Sequence, residues 1–181
     1  SLPDSALSKL AATGAKSVAI APETGTNRLR AVCNKDLTNE QIVAEARRVI
    51  ESGFENIKLY YLVGLPSERP EDIQAICDLT IRIRDAVMEI WKSRKRAGTV
   101  TVSVNPFVPK AHTPFQWAGF CTKRYYDDAK KTIQGGLKKQ GNVNTRFESY
   151  RLSLLQTVLS LGDRDCSELL LNIAAGQKEN Q

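Results

Sequence analysis

No stretch of the 181 residues stays apolar for the roughly 18 positions that a membrane-crossing helix needs, which excludes a chain built around a helical span. The first residues, Ser1-Leu2-Pro3-Asp4, have neither the charged-then-apolar pattern of a secretory signal nor the Arg- and Ser-rich pattern of a transit peptide, so a cytoplasmic protein is expected. Histidine occurs once, at position 112, which leaves no imidazole pair for a metal or a proton relay. Cysteine occurs four times, at Cys33, Cys77, Cys121 and Cys166, with separations of 44, 44 and 45 residues. None of these spacings matches the close-set thiols of zinc or iron–sulfur sites. The residues around the four cysteines do not match either, so the even spacing is not a repeat; they read as free thiols serving as small apolar side chains.

What is present describes an ordinary globular chain. Hydrophobic residues make up 41% and charged residues 25%, and the length suits one domain with a sizeable core. The net charge is +6, with basic residues gathered in Lys92-Ser93-Arg94-Lys95-Arg96, Lys123-Arg124, Lys130-Lys131 and Lys138-Lys139. Such a balance suits anionic partners, RNA among them, or simply a solvated face.

Patterning predicts an alternation of strands and helices. Asn56 to Val63 is an almost unbroken run of Ile, Leu, Tyr and Val, and reads as a strand buried on both faces of a parallel sheet; Gly64-Leu65-Pro66 must turn. Ser17 to Ala21 and Thr99 to Asn105 read as the strands on either side, and Asn142 to Phe147 fits a fourth. Between them lie helical stripes. One opens at Asp4 or Ser5 as N-cap, with Leu7, Leu10 and Ala11 inward; one opens at Thr38 with Gln41 in capping-box position; one starts at Ser67 to Pro70, where Glu68 suits a cap; one runs from Lys123 to Lys139, weakened by Gly135-Gly136. Ser149 to Leu161, with Leu152, Leu155, Val158 and Leu159 inward, and Ser167 to Ala175 close the chain, and the tail from Gly176 to Gln181 should fray. Trp117 is expected to anchor the loop from Lys110 to Phe120. In sheets of this kind ligands bind at the carboxyl ends of the strands.

Three strand-end segments go further: Ala21-Pro22-Glu23-Thr24-Gly25, Gly64-Leu65-Pro66-Ser67-Glu68, and Asn105-Pro106-Phe107-Val108-Pro109 with Thr113-Pro114. In that order they resemble the ends of the fourth, fifth and sixth barrel strands of the radical S-adenosylmethionine (radical SAM) superfamily. Tyr60 to Pro66 is similar to its fifth-strand signature, and Ser17 to Trp117 is most similar to the subgroup with a cobalamin-binding domain upstream. Leu159-Ser160-Leu161-Gly162-Asp163-Arg164 resembles the turn that follows the barrel there, with Leu161 in place of an arginine. The resemblance implies an α/β fold: residues 1–120 as the C-terminal half of a partial (β/α) barrel and 121–181 as a mostly helical extension.

It also implies S-adenosylmethionine and a [4Fe–4S] cluster as cofactors, with cobalamin in an upstream domain. This chain lacks the Cys-x3-Cys-x2-Cys cluster motif and the Gly-Gly-Glu segment of the family. It therefore reads as a piece of an iron–sulfur oxidoreductase-type enzyme that begins near the end of the third strand and is inactive alone. Its partners would be the missing N-terminal half, a small-molecule or tRNA substrate, and a second copy across the open barrel edge. By resemblance Glu23 meets the SAM ribose, Lys35 the SAM carboxylate, and Gly64, Leu65, Pro66, Asn105 and Phe107 the adenine. Lys58, Tyr60 and His112 are weaker candidates for substrate contact, Lys58 foremost because a strand lysine is rarely buried without a partner. The competing reading is a cluster-free basic module for RNA or another anionic ligand.

Overall fold

A computed structural model describes residues 3–95 and 97–176. Four parallel strands form one sheet in chain order: β1 (Ser17–Glu23), β2 (Asn56–Val63), β3 (Val100–Pro106) and β4 (Val143–Phe147). Helices α1 (Asp4–Ala12), α3 (Asn39–Glu51), α4 (Pro70–Ser93) and α5 (Lys123–Leu137) cover one face. A short helix, α2 (Asn27–Val32), follows β1 at its carboxyl end, and α6 (Tyr150–Leu161) and α7 (Cys166–Gly176) finish the chain. The protein is thus a partial (β/α) barrel with a helical C-terminal end. Among the described residues no helix is long and apolar enough to cross a membrane.

The core lies between sheet and helices. Ile57, Leu59, Tyr61 and Val63 of β2 and Val100, Val102 and Val104 of β3 point into it. They meet Ile42, Ala46, Val49 and Ile50 of α3, Ile73, Ile76, Leu79, Ile83 and Val87 of α4, and Ile133 of α5. Thr38 and Gln41 form the reciprocal capping box at the start of α3: the Gln41 N–H donates to Thr38 Oγ1 and the Thr38 N–H to Gln41 Oε1.

Several expectations are corrected. β2 is buried on one face only; Lys58 and Tyr60 alternate with its core residues and are exposed. Pro3, not Asp4 or Ser5, holds the cap position of α1 and makes no side-chain cap bond, while Asp4 pairs with Arg48 of α3 and Leu10 faces outward. Helix α5 runs through Gly135 and Gly136 and ends at Leu137, two residues short of the expected Lys139. At Gly136 α4 comes so close that a Cβ would stand 2.7 Å from Cys77 Sγ, so a bare backbone is what lets the helices meet. In α6 the apolar residues face out: Leu152, Leu155, Val158 and Leu159 are exposed, and Ser153 and Thr157, one turn apart, are the buried pair. No residue of α7 is buried. Of the basic run after α4, Arg94 caps the end of α3 by donating to the Ile50 and Glu51 carbonyls. Arg96 and the tail residues from Gln177 to Gln181 lie outside the described residues.

Candidate ligand-binding site at the strand ends

The carboxyl end of β1 turns sharply. The pairing of β1 with β2 is regular as far as Ile20 and then slips, and Glu23 takes a left-handed backbone (φ 65°). The loop that follows is built on Arg30 of α2. Its guanidinium is wholly buried and donates to the Pro22, Thr24 and Leu37 carbonyls and to the side-chain oxygens of Asn27 and Asn39. Among the described residues no carboxylate pairs with it; neutral oxygens at 2.8–2.9 Å take all five bonds. Burial lowers the Arg30 pKa from its ordinary value, but an arginine starts so high that it stays charged. One cation thereby ties the end of β1 to α2 and to the start of α3.

This scaffold presents Glu23 and Lys35 to each other. Lys35 Nζ donates to Glu23 Oε1 at 2.9 Å and to the Ala21 carbonyl at 2.6 Å. Both side chains keep about a third of their surface in solvent. Thr26 supplies the N-cap of α2 by accepting from the Leu29 N–H, so Glu23 is left free of that duty. Thr26, Arg28 and the Arg69 N–H all donate to the buried Asp72, which clamps α2 onto the start of α4.

At the end of β2, Gly64 (φ 92°) turns the chain and its N–H donates to Glu68 Oε1 at 2.7 Å. The Tyr125 hydroxyl donates to the same oxygen at 2.7 Å. Glu68 therefore folds back on the turn and does not cap α4 as expected; Arg69 holds the cap position, and its N–H donates to Asp72 Oδ2. Burial pushes the Glu68 carboxyl above its usual range, and its hydrogen bonds only partly offset this. Cys121 packs directly under Gly64.

Leu65 and Phe107 are buried together with Leu29 in a small second core, roofed by Cys33, Leu62, Phe115 and Ala118. Phe107 and Phe115 meet edge to face at 5.5 Å. Phe115, not Trp117, anchors the loop; Trp117 is 89% exposed. Cys33 sits where the two halves of the site meet. Burial raises its thiol pKa and Glu23 adds to this, while Lys35 acts in the opposite sense.

The candidates from sequence thus do not converge on one place. Glu23 and Lys35 form one charged pair, Leu65 and Phe107 share the buried apolar cluster, and Gly64 and Pro66 lie in the turn after β2. Asn105 lines a separate cleft of about 340 Å³, with Leu62, Phe107 and Lys110 on one side and Leu152 and Gln156 of α6 on the other. Lys58 and Tyr60 stand apart on the open face of the sheet, and His112 is an exposed loop residue with a left-handed backbone (φ 61°). Arg30 and Asp72 were missed, because isolated charged residues in helices carry no signal of burial.

The donors in this chain do not fit an iron–sulfur cluster. Cys77 is in the α4 core, Cys33 beside the second cluster, Cys121 under Gly64 and Cys166 against the Gly162 turn. Among the described residues no three metal-binding side chains converge. What the end of β1 does present is a carboxylate and an ammonium side by side, both partly open to solvent.

No family model matches the chain. It is similar to an uncharacterized protein of Methanocaldococcus jannaschii, with 32% identity over 157 residues that take in 86% of this chain and 32% of that protein. The chain therefore spans about a third of the length of the curated relative it matches.

Proposed function

We propose that this chain carries part of the S-adenosylmethionine site of a radical SAM iron–sulfur enzyme, with the cluster motif supplied by another segment of a longer protein and cobalamin by an upstream domain. The observation that supports this best is the Glu23–Lys35 pair, set by Arg30 at the carboxyl end of β1. Binding is an exchange. Ribose hydroxyls replace Lys35 as donors to Glu23, and the SAM carboxylate replaces Glu23 as the partner of Lys35, so neither charge is stranded when the pair opens. Leu65 and Phe107 supply the apolar wall for the adenine, beside the turn that Gly64 makes. The bound SAM and its cluster supply the radical; the residues of this chain hold and orient.

Anaerobic titration of S-adenosylmethionine into the full-length protein tests this. Each charge-assisted bond is worth about 1.5–3 kcal/mol. Breaking the Glu23–Lys35 pair in the free protein offsets part of that, so Glu23→Ala and Lys35→Ala should each weaken binding by roughly tenfold. Glu23→Gln and Lys35→Arg should be milder, since an amide oxygen still accepts and a guanidinium still pairs. Unchanged affinity in both alanine variants would refute the reading.

A further inference from the structure

The face of the sheet that the helices leave uncovered has a chemistry of its own. The register brings Lys58, Thr101 and Asn144 side by side in one row across β2, β3 and β4, and Tyr60, Ser103 and Arg146 in the next. All six side chains are half-buried or exposed, and none is hydrogen-bonded to a described residue. Strands β2, β3 and β4 contain no Asp or Glu at all. The outer helices differ: Arg47, Arg48, Arg82, Lys123, Arg124 and Lys131 all pair with carboxylates there. Among the described residues neither Lys58 nor Arg146 has a carboxylate partner; the nearest carboxylate along β4, Glu148, lies past its end beside Leu62 and Asn105 and accepts from the Ser149 N–H.

The spacing is also apt. Lys58 and Arg146 are two strands and two residues apart, which at sheet spacings of about 4.8 Å between strands and 3.3 Å along them puts their Cα atoms about 12 Å from each other. Two long side chains reaching inward from that distance meet over Thr101 and Ser103 of the middle strand. A group held there would receive a point charge from lysine, a planar fork from arginine and hydroxyl donors from below.

We infer that the open face of the sheet is a substrate surface for a small molecule bearing an oxyanion, phosphate or carboxylate, which Lys58 and Arg146 grip from either side. This rests on the reading of the sheet as part of a barrel whose inner face meets substrate. It adds the chemical class of that substrate and a residue, Arg146, that the strand-end motifs do not include.

Amide chemical shifts of the 181-residue chain, followed at fixed ionic strength, test it with three probes: inorganic pyrophosphate, citrate and a single-stranded RNA dodecamer. Saturable shifts centred on Lys58, Thr101, Ser103 and Arg146 are expected with pyrophosphate or citrate, and the stronger of the two identifies the anion. The double variant Lys58→Gln/Arg146→Gln, with an unchanged thermal midpoint to show that it folds, should weaken this binding at least tenfold, about 1.4 kcal/mol. Lys138→Gln/Lys139→Gln on the outer side should not. Absence of saturable binding by either small anion, binding indifferent to the first double variant, or binding of RNA alone that follows Lys138 and Lys139 would overturn the inference. The S-adenosylmethionine titration reads Glu23 and Lys35 at the end of β1 and the anion titration reads Lys58 and Arg146 on the sheet face, so failure of one and failure of the other remain distinct results.

Discussion

Replacing Arg30 by methionine should be among the most damaging single changes in this protein. Methionine keeps most of the volume and all of the helix propensity. What it loses is five hydrogen bonds, and the acceptors left behind decide the cost. Asn27 Oδ1 still accepts from the Asn39 N–H. The bonds to Leu37 and Asn39 are only partly buried, and water can replace them. The Pro22 and Thr24 carbonyls are bonded in the interior, where water does not follow. Two buried acceptors at about 1–3 kcal/mol each, with a smaller term for the rest, make a loss of about 3–5 kcal/mol. That is a large share of the roughly 5–15 kcal/mol typical of a domain. Urea unfolding followed by circular dichroism should show the midpoint fall with little change in slope. Hydrogen exchange should rise first between residues 22 and 39. Arg30→Lys should fall between, since an ammonium has three donors for five acceptors. A loss below about 1 kcal/mol for Arg30→Met would mean that water already satisfies this loop, and the argument for a rigid Glu23–Lys35 site would go with it.

Two further outcomes follow from the turn after β2. The folded Glu68 pKa lies above the unfolded one, so the native state holds the extra proton between the two, and stability should fall as pH rises through that window from about 4.3 upward. Glu68→Gln keeps an oxygen for the Gly64 N–H and the Tyr125 hydroxyl, and should remove this slope; denaturant melts at a series of pH values with parallel profiles for both proteins would refute the assignment. Gly64→Ala should cost about 1–3 kcal/mol, because its backbone is left-handed (φ 92°) and the new Cβ would stand 2.7 Å from that of Cys121; an unchanged urea midpoint would show that the Cys121 segment yields freely.

Much of the fold was legible because its signals are local. A β-branched run, a capping box at Thr38 and Gln41, and glycine after a strand each act through neighbouring residues. The errors share a cause as well. β2 reads as continuous because two of its open-face residues, Tyr60 and Leu62, have large apolar bodies that hide the alternation. In α6 leucines occupy nearly every side, so periodicity cannot choose a face; two small hydroxyl residues, Ser153 and Thr157, do so by allowing close approach. The loop after β3 offers Phe115 and Trp117 for one anchoring place, and only packing decides between them. Glu23 and Lys35 could be named from strand-end position and family resemblance, but not their contact with each other. Arg30 could not be named at all, since its burial depends on five oxygens gathered from the end of β1, two helices and two loops.

The sequential strand order also bears on how the chain assembles. Ser17 pairs with Asn56, Ile57 with Val100 and Val100 with Val143, separations of 39, 43 and 43 residues. Closure entropy grows only with the logarithm of loop length, so the three pairings start from nearly equal handicaps and none is favoured by proximity along the chain. The rate is then decided by what each pairing gains. β2 and β3 meet over seven unbroken pairs with valine, leucine and tyrosine facing the same helices, whereas β1 joins through a register that slips after Ile20. The central pair should therefore form the nucleus, and the edge that carries Glu23 should be the last to lock and the first to open.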